Sequence, residues 1–160
     1  MTHSNPAPNG RVSAIVLAAG EGSRMKSNRP KPLHLICGRP MVMHVIHALS
    51  SVLPERTVVV VGHEAERVTR KVQEEAPSWA NVSFVEQTVQ RGTGDAAMVG
   101  LTAFPGDDLD DTSTVVVLPG DSPLLSAASI DALVAAMAAH RGVKQVCVCV
   151  CVCVCVCVCV

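Results

Sequence analysis

Apolar positions follow two rhythms that alternate along the chain. Residues 12–18, 57–61, 82–85 and 114–118 are short runs rich in Val and Ile. Their length and β-branched content predict strands, and their few polar residues suit strands buried on both faces. Between these runs, apolar residues recur three and four apart. Pro40 begins one such segment, at a helical position where its missing N–H costs nothing. Val42, Val45, Ile46, Leu49 and Leu53 are predicted to face the core from it. Further helices are predicted over 64–75, stopped by Pro77, and over 94–104. A last helix, capped by Ser126 or Ser129, runs to about His140. Strand then helix, four times over, is the pattern of a parallel sheet covered by helices on both faces. Ligands in such folds collect at the carboxyl ends of the strands. No longer-period repeat is visible in residues 1–145.

Residues 146–160 depart from this pattern: they are a strict alternation of Val and Cys. An uncharged strand of this kind is apolar on both faces and prone to aggregate. Fifteen residues are too few for a comfortable membrane helix, and valine is poor helix material. Cys-x-Cys spacing suits soft metals, which leaves a metal-binding tail as a competing reading. The genetic code offers a simpler one: GTG reads Val and TGT reads Cys, so a GT dinucleotide repeat gives Val-Cys in frame. We expect a low-complexity segment of genetic or assembly origin here. It holds seven of the eight cysteines, and Cys37 is the remaining one. No disulfide framework is indicated, and a cytoplasmic location is the expectation.

Composition narrows the classes. A formal net charge of -1 gives no electrostatic reason to expect nucleic acid or a membrane as partner. One Trp, two Phe and no Tyr leave no stacking platform for single-stranded nucleic acid. Residues 1–11 are polar, lack the pattern of a signal peptide and are expected to be a disordered tail. The domain proper is expected over 12–145. The run Asp107, Asp108, Asp110 and Asp111 reads as a solvated loop. His44 and His47, three apart on a helix, read as ordinary helix residues, and His34 as structural. Cys37 reads as a small buried or loop residue.

The chemistry is concentrated after the strands. The first ends in Leu17-Ala18-Ala19-Gly20-Glu21-Gly22-Ser23-Arg24-Met25. Small residues let backbone N–H groups approach a phosphate, and Arg24 and then Lys31 add fixed cations. A Walker A pattern is absent, and Met25 stands where a dinucleotide-binding fingerprint needs its third glycine. A second block is Gln87-Thr88-Val89-Gln90-Arg91-Gly92-Thr93-Gly94, and a third is Gly120-Asp121-Ser122-Pro123-Leu124.

Together with Pro30-Lys31-Pro32-Leu33-His34, Gly38-Arg39-Pro40-Met41 and His44-Val45-Ile46, these blocks resemble the sugar-phosphate nucleotidyltransferases. The Lys-x-Leu-His and His-Val-Ile elements are similar to the N-acetylglucosamine-1-phosphate uridylyltransferase branch. The resemblance covers about residues 12–142 and implies a Rossmann-like, mostly parallel α/β sheet, here a truncated nucleotidyltransferase domain. It also implies transfer of UMP from UTP to N-acetylglucosamine 1-phosphate, giving UDP-N-acetylglucosamine and pyrophosphate for cell-wall precursor synthesis. By the same resemblance, Leu17, Ala18, Ala19 and Gly20 line the nucleotide and Arg24 and Lys31 hold its phosphates as catalytic cations. Gln87, Gly92 and Thr93 meet the uracil, and Asp121 binds Mg²⁺. The family's acceptor pocket, second metal ligand and trimer-forming acetyltransferase part lie beyond this sequence, so neither acetyl transfer nor a homotrimer is inferred. A sheet without its later strands leaves an open edge, and poor solubility of the isolated chain is expected. Two alternatives stand beside this reading: a truncated, inactive nucleotide-binding fragment, and a molybdenum-cofactor nucleotidyltransferase.

Overall fold

The computed structural model describes residues 11–20, 22, 25–105, 113–139, 145–151 and 154–159. The acidic run 107–111, His140 and residues 1–10 of the tail expected over 1–11 lie outside them. Four runs of the sequence become parallel strands: β1 (Val12–Ala18), β4 (Arg56–Val61), β5 (Val82–Glu86) and β6 (Thr114–Pro119). Two short strands, β2 (Leu35–Ile36) and β3 (Arg39–Pro40), pair separately as an antiparallel hairpin. Its turn residues Cys37 and Gly38 both have positive φ, 49° and 81°. A two-residue hairpin turn of this twist needs that conformation at both positions. Cys37 is therefore an exposed turn residue, and strands of two residues are too short to show a period.

The order across the main sheet is β5-β4-β1-β6-β7-β8. β7 (Gln145–Cys151) and β8 (Val154–Cys159) are the Val-Cys repeat. β7 pairs parallel with β6, Val115 opposite Val146, and β8 returns antiparallel along β7. The repeat thus occupies the edge of β6 that the four-strand reading leaves open.

Helices α1 (Met41–Ala48), α2 (Ala65–Glu75), α3 (Thr93–Thr102) and α4 (Ala127–Ala139) connect the strands. Alternate residues of each buried strand feed opposite faces of the sheet. Val12, Ala14, Val16 and Ala18 join Val59, Val61, Val116 and Leu118 under α1, α2 and α4. Ile15, Val58, Val60, Val115 and Val117 meet α3 on the other face. α3 lies close to the sheet because Gly100 has no side chain: a Cβ there would stand 2.6 Å from Ile15 Cγ2 and 3.1 Å from Val60 Cγ2.

On α1, Val42, Val45, Ile46 and Leu49 are buried as the spacing predicts, whereas Leu53 is 61% exposed. The helix tightens into a 3-10 turn at Leu49–Ser51, and Leu53 sits at φ 43°. The 3.6-residue period therefore stops before Leu53 reaches the core. Phe104, predicted inside α3, lies in the turn beyond it and is still buried. Ser126 is the residue that caps α4, its Oγ accepting from the N–H of Ser129 at 3.1 Å.

Candidate active site

The chain leaves β1 and crosses to β4 and β5 on one side, then returns to β6 on the other. A crevice opens where the strand order reverses, outside the carboxyl ends of the strands. Here it is a cleft of about 330 Å³ that draws on the loops after β1, β5 and β6. Leu17, Ala18, Ala19, Gly20, Lys31, Gln87, Gly92, Thr93 and Asp121 all line it. Every candidate site residue among the described ones is therefore in one place. Arg24 lies outside the described residues.

Two glycines let the loops converge. A Cβ at Gly62, just after β4, would stand 2.8 Å from the carbonyl oxygen of Ala19. One at Gly120, just after β6, would stand 2.8 Å from that of Leu17. The N–H of Gly120 also donates to Leu17 O at 2.8 Å, tying the β6 loop to the end of β1. Lys31 stands in the short 3-10 turn Lys31–Leu33, and its stem packs on Gly22, where a Cβ would come within 2.7 Å of Lys31 Cβ.

Among the described residues the charged groups lining the cleft pair with each other. Lys31 Nζ donates to Asp121 Oδ2, joining residues 90 apart in sequence. About one third of each side chain remains exposed, so both stay reachable by a ligand. On the opposite wall, Gln87 is 5% exposed. Its Nε2 donates to Asp95 Oδ2 at 2.7 Å and more weakly to Gly92 O at 3.4 Å. Gln90 Nε2 donates to Ala19 O at 2.9 Å, bracing the loop after β1. Gly92, at φ 100°, precedes the first turn of α3. The orphan N–H groups and positive dipole end of that turn favour an anion or a carbonyl oxygen.

Sequence reasoning did not single out Asp95, Pro32, Ala96 or Pro119. The last three line the cleft, and their small or rigid apolar character carries no chemical signature. Asp95 looks like an ordinary acid in the first turn of a helix. His34 and His44 have structural partners, the carbonyl oxygens of Arg29 at 3.1 Å and of Ile36 at 2.9 Å. Among the described residues no three His, Cys, Asp or Glu side chains gather as a metal site. Asp121 is, among the described residues, the carboxylate lining the cleft. A single carboxylate suits Mg²⁺, which usually keeps waters and takes its remaining oxygens from substrate phosphates. Among the described residues no helix is long and apolar enough to cross a membrane.

Comparison with known proteins agrees with this architecture. Residues 14–153 match the family model of the MobA-like NTP transferase domain. The chain is 46% identical over 136 residues to the bifunctional protein GlmU of Thermobifida fusca, covering 85% of this chain and 26% of that protein. It is 50% identical over 113 residues to the GlmU of Rubrobacter xylanophilus, covering 71% and 22%. The chain thus spans about a quarter of the length of the curated relatives it matches. Among solved structures, Rv0371c of Mycobacterium tuberculosis H37Rv superposes with a TM-score of 0.62 at 22% identity, covering 81% of this chain and 61% of that one. That protein is also known in complex with manganese, where the TM-score is 0.57 at 18% identity, covering 81% and 60%. A nucleotidyl transferase from Methanothermobacter gives 0.61 at 24%, covering 81% and 57%. At these identities the structural matches speak for the fold. The family model spans nearly the whole sheet and all three loops of the cleft, and the chain belongs to the MobA-like NTP transferase domain family.

Proposed function

We propose that this chain is the nucleotide-binding part of a sugar-phosphate nucleotidyltransferase that transfers UMP from UTP to N-acetylglucosamine 1-phosphate and releases pyrophosphate. One observation supports this most: a single cleft at the strand-order reversal gathers Lys31, Asp121, Gln87 and the small residues after β1. The GlmU relatives point to the same chemistry. A role in cytoplasmic cell-wall precursor synthesis follows from that kinship and is part of the proposal.

The reaction needs no protein nucleophile. An oxygen of the sugar phosphate, already anionic, attacks the α-phosphorus in line, and pyrophosphate leaves. The obstacle is repulsion between two anions, so positioning and cations supply most of the catalysis. Ala18, Ala19 and Gly20 offer backbone against the nucleotide without side chains in the way. Lys31 neutralises phosphate charge, and Arg24 is proposed to add to it. A divalent ion held by Asp121, Mg²⁺ in this proposal, would neutralise charge on the phosphates. The Lys31–Asp121 pair lets each side chain satisfy the other's charge. A bound metal–nucleotide offers each member a new partner of opposite charge, so binding exchanges one ion pair for two. Gln87, Gly92 and Thr93 would meet the base.

The test is calorimetry with UTP, CTP and GTP in Mg²⁺, followed by pyrophosphate release with and without N-acetylglucosamine 1-phosphate. UTP preference with sugar-dependent release supports the proposal. UTP binding without release identifies a nucleotide-binding fragment whose acceptor half lies elsewhere. A preference for GTP would favour the molybdenum-cofactor alternative and sink the proposal.

A further inference from the structure

We infer that Asp95 is the positioning residue that gives the cleft its base specificity, by fixing which end of the Gln87 amide faces the ligand. The inference rests on the proposed reading of Gln87 as the residue that meets the base. A glutamine amide has two nearly isosteric ends, one that donates and one that accepts. A freely turning amide recognises either complement and discriminates little. Gln87 is not free to turn. It is buried to 5% exposure, and its Nε2 donates to Asp95 Oδ2 at 2.7 Å. An ionised carboxylate only accepts, so the NH₂ end must face Asp95. Gly92 O, 3.4 Å from the same nitrogen, is a weaker acceptor that favours the same choice without fixing it alone. Turning the amide would set its oxygen against a carboxylate and a carbonyl, losing a charge-assisted bond and adding repulsion. Among the described residues both hydrogen bonds of the side chain therefore use Nε2, and Oε1 is left to the cleft that Gln87 lines.

A fixed acceptor at that wall selects a base edge that donates. The ring imide N–H of uracil or thymine is such a donor, as is the ring lactam N–H of guanine. Cytosine and adenine present a bare ring nitrogen at the equivalent edge, an acceptor facing an acceptor. The substrate class is thus a nucleotide whose base carries a ring N–H on that edge. Asp95 touches no substrate in this scheme; it acts through Gln87. It is itself held in place on the first turn of α3, where the helix dipole favours a negative charge.

The test compares UTP and CTP binding, both with Mg²⁺, by calorimetry on the whole chain and on Asp95→Asn and Gln87→Ala. An asparagine amide can donate as well as accept, so Asp95→Asn tolerates either orientation of the Gln87 amide. The expected result is a UTP preference of about ten-fold or more in the starting protein, the worth of one good base-edge hydrogen bond. That preference should collapse toward unity in both variants. If Gln87→Ala loses the preference and Asp95→Asn keeps it, Gln87 reads the base and the inference about Asp95 is overturned. If Gln87→Ala keeps it, the reading of Gln87 itself fails. A second measurement needs no variant. In ¹⁵N NMR the Gln87 side-chain NH₂ should exchange with water far more slowly than that of the exposed Gln73. Equal exchange rates would show that Asp95 does not hold the amide, and would overturn the inference even where Asp95→Asn fails to fold.

Discussion

The two faces of the sheet are built differently. Among the described residues, α1, α2 and α4 cover one face and share a cluster of twenty buried apolar residues with it. The other face meets α3, and its cluster has nine. The thick face holds most of the apolar area removed from water, which is the main favourable term in folding. The thin face contributes the wall of the cleft proposed to meet the base, since Gln87, Gly92 and Thr93 sit where β5 passes into α3. On the proposed reading, stability and recognition are therefore largely assigned to opposite sides of one sheet. Substitutions on the two sides should fail in different assays.

The sharpest contrast comes from Ile46, fully buried on the thick face. Ile46→Ala removes packed methyl groups and should cost about 2–5 kcal/mol, read as a lowered urea midpoint. Protein that remains folded should bind UTP as before; a loss of affinity beyond the unfolded fraction would break the comparison. Gly100→Ala tests the thin face. Alanine gains up to about 1 kcal/mol in helix propensity, but its Cβ would stand 2.6 Å from Ile15 Cγ2. Overpacking of that kind costs about 1–3 kcal/mol, so a net loss is expected. Because α3 must lift off the sheet, UTP affinity should fall with stability. Unchanged affinity would mean that the start of α3 does not shape the cleft.

Ser126→Ala removes the α4 cap on the thick face. It should cost about 1 kcal/mol in urea unfolding and leave UTP binding unchanged. Lys31→Met separates the two properties further. Its ion pair with Asp121 is about one third exposed, so the stability change should stay within about 1 kcal/mol. UTP affinity should drop by about ten-fold or more, since a charge-assisted phosphate contact is lost. The smallest effect belongs to His47, whose pKa is lowered by burial first, then by Arg39 and His44. Below the ordinary value of 6.5, the unfolded chain takes up a proton that the folded chain resists. Stability should therefore fall as pH drops through and below 6.5, and His47→Gln should flatten that limb of the curve.

The sheet was the most legible part of the sequence. Strands buried on both faces must be apolar nearly throughout, and β1 and β6 therefore stand out as Val-rich runs bounded by turns. Helix faces were legible until local geometry broke the period, as at Leu53. The β2–β3 hairpin was invisible because two-residue strands have no rhythm, although Cys37-Gly38 is a turn-compatible pair. At the site, the residue types were legible in the motif blocks, and their convergence follows from the strand order. What the one-dimensional pattern does not hold is who touches whom. The Lys31–Asp121 pair and the Asp95–Gln87 bond join loops or elements whose proximity only the folded sheet creates.

The strand order has a kinetic and thermodynamic consequence. β1 comes first in the chain but sits in the middle, and its second neighbour, β6, follows β4 and β5 in sequence while lying on the other side of β1. Lys31 and Asp121 can meet only once β6 has paired beside β1. A ligand that needs both is therefore bound by the finished sheet and not by a half-assembled one. By mass action such a ligand stabilises the whole fold in proportion to RT ln(1 + [L]/Kd). Occupancy of the cleft is in this sense a proofreading signal: a chain that holds its ligand has closed both halves of its sheet.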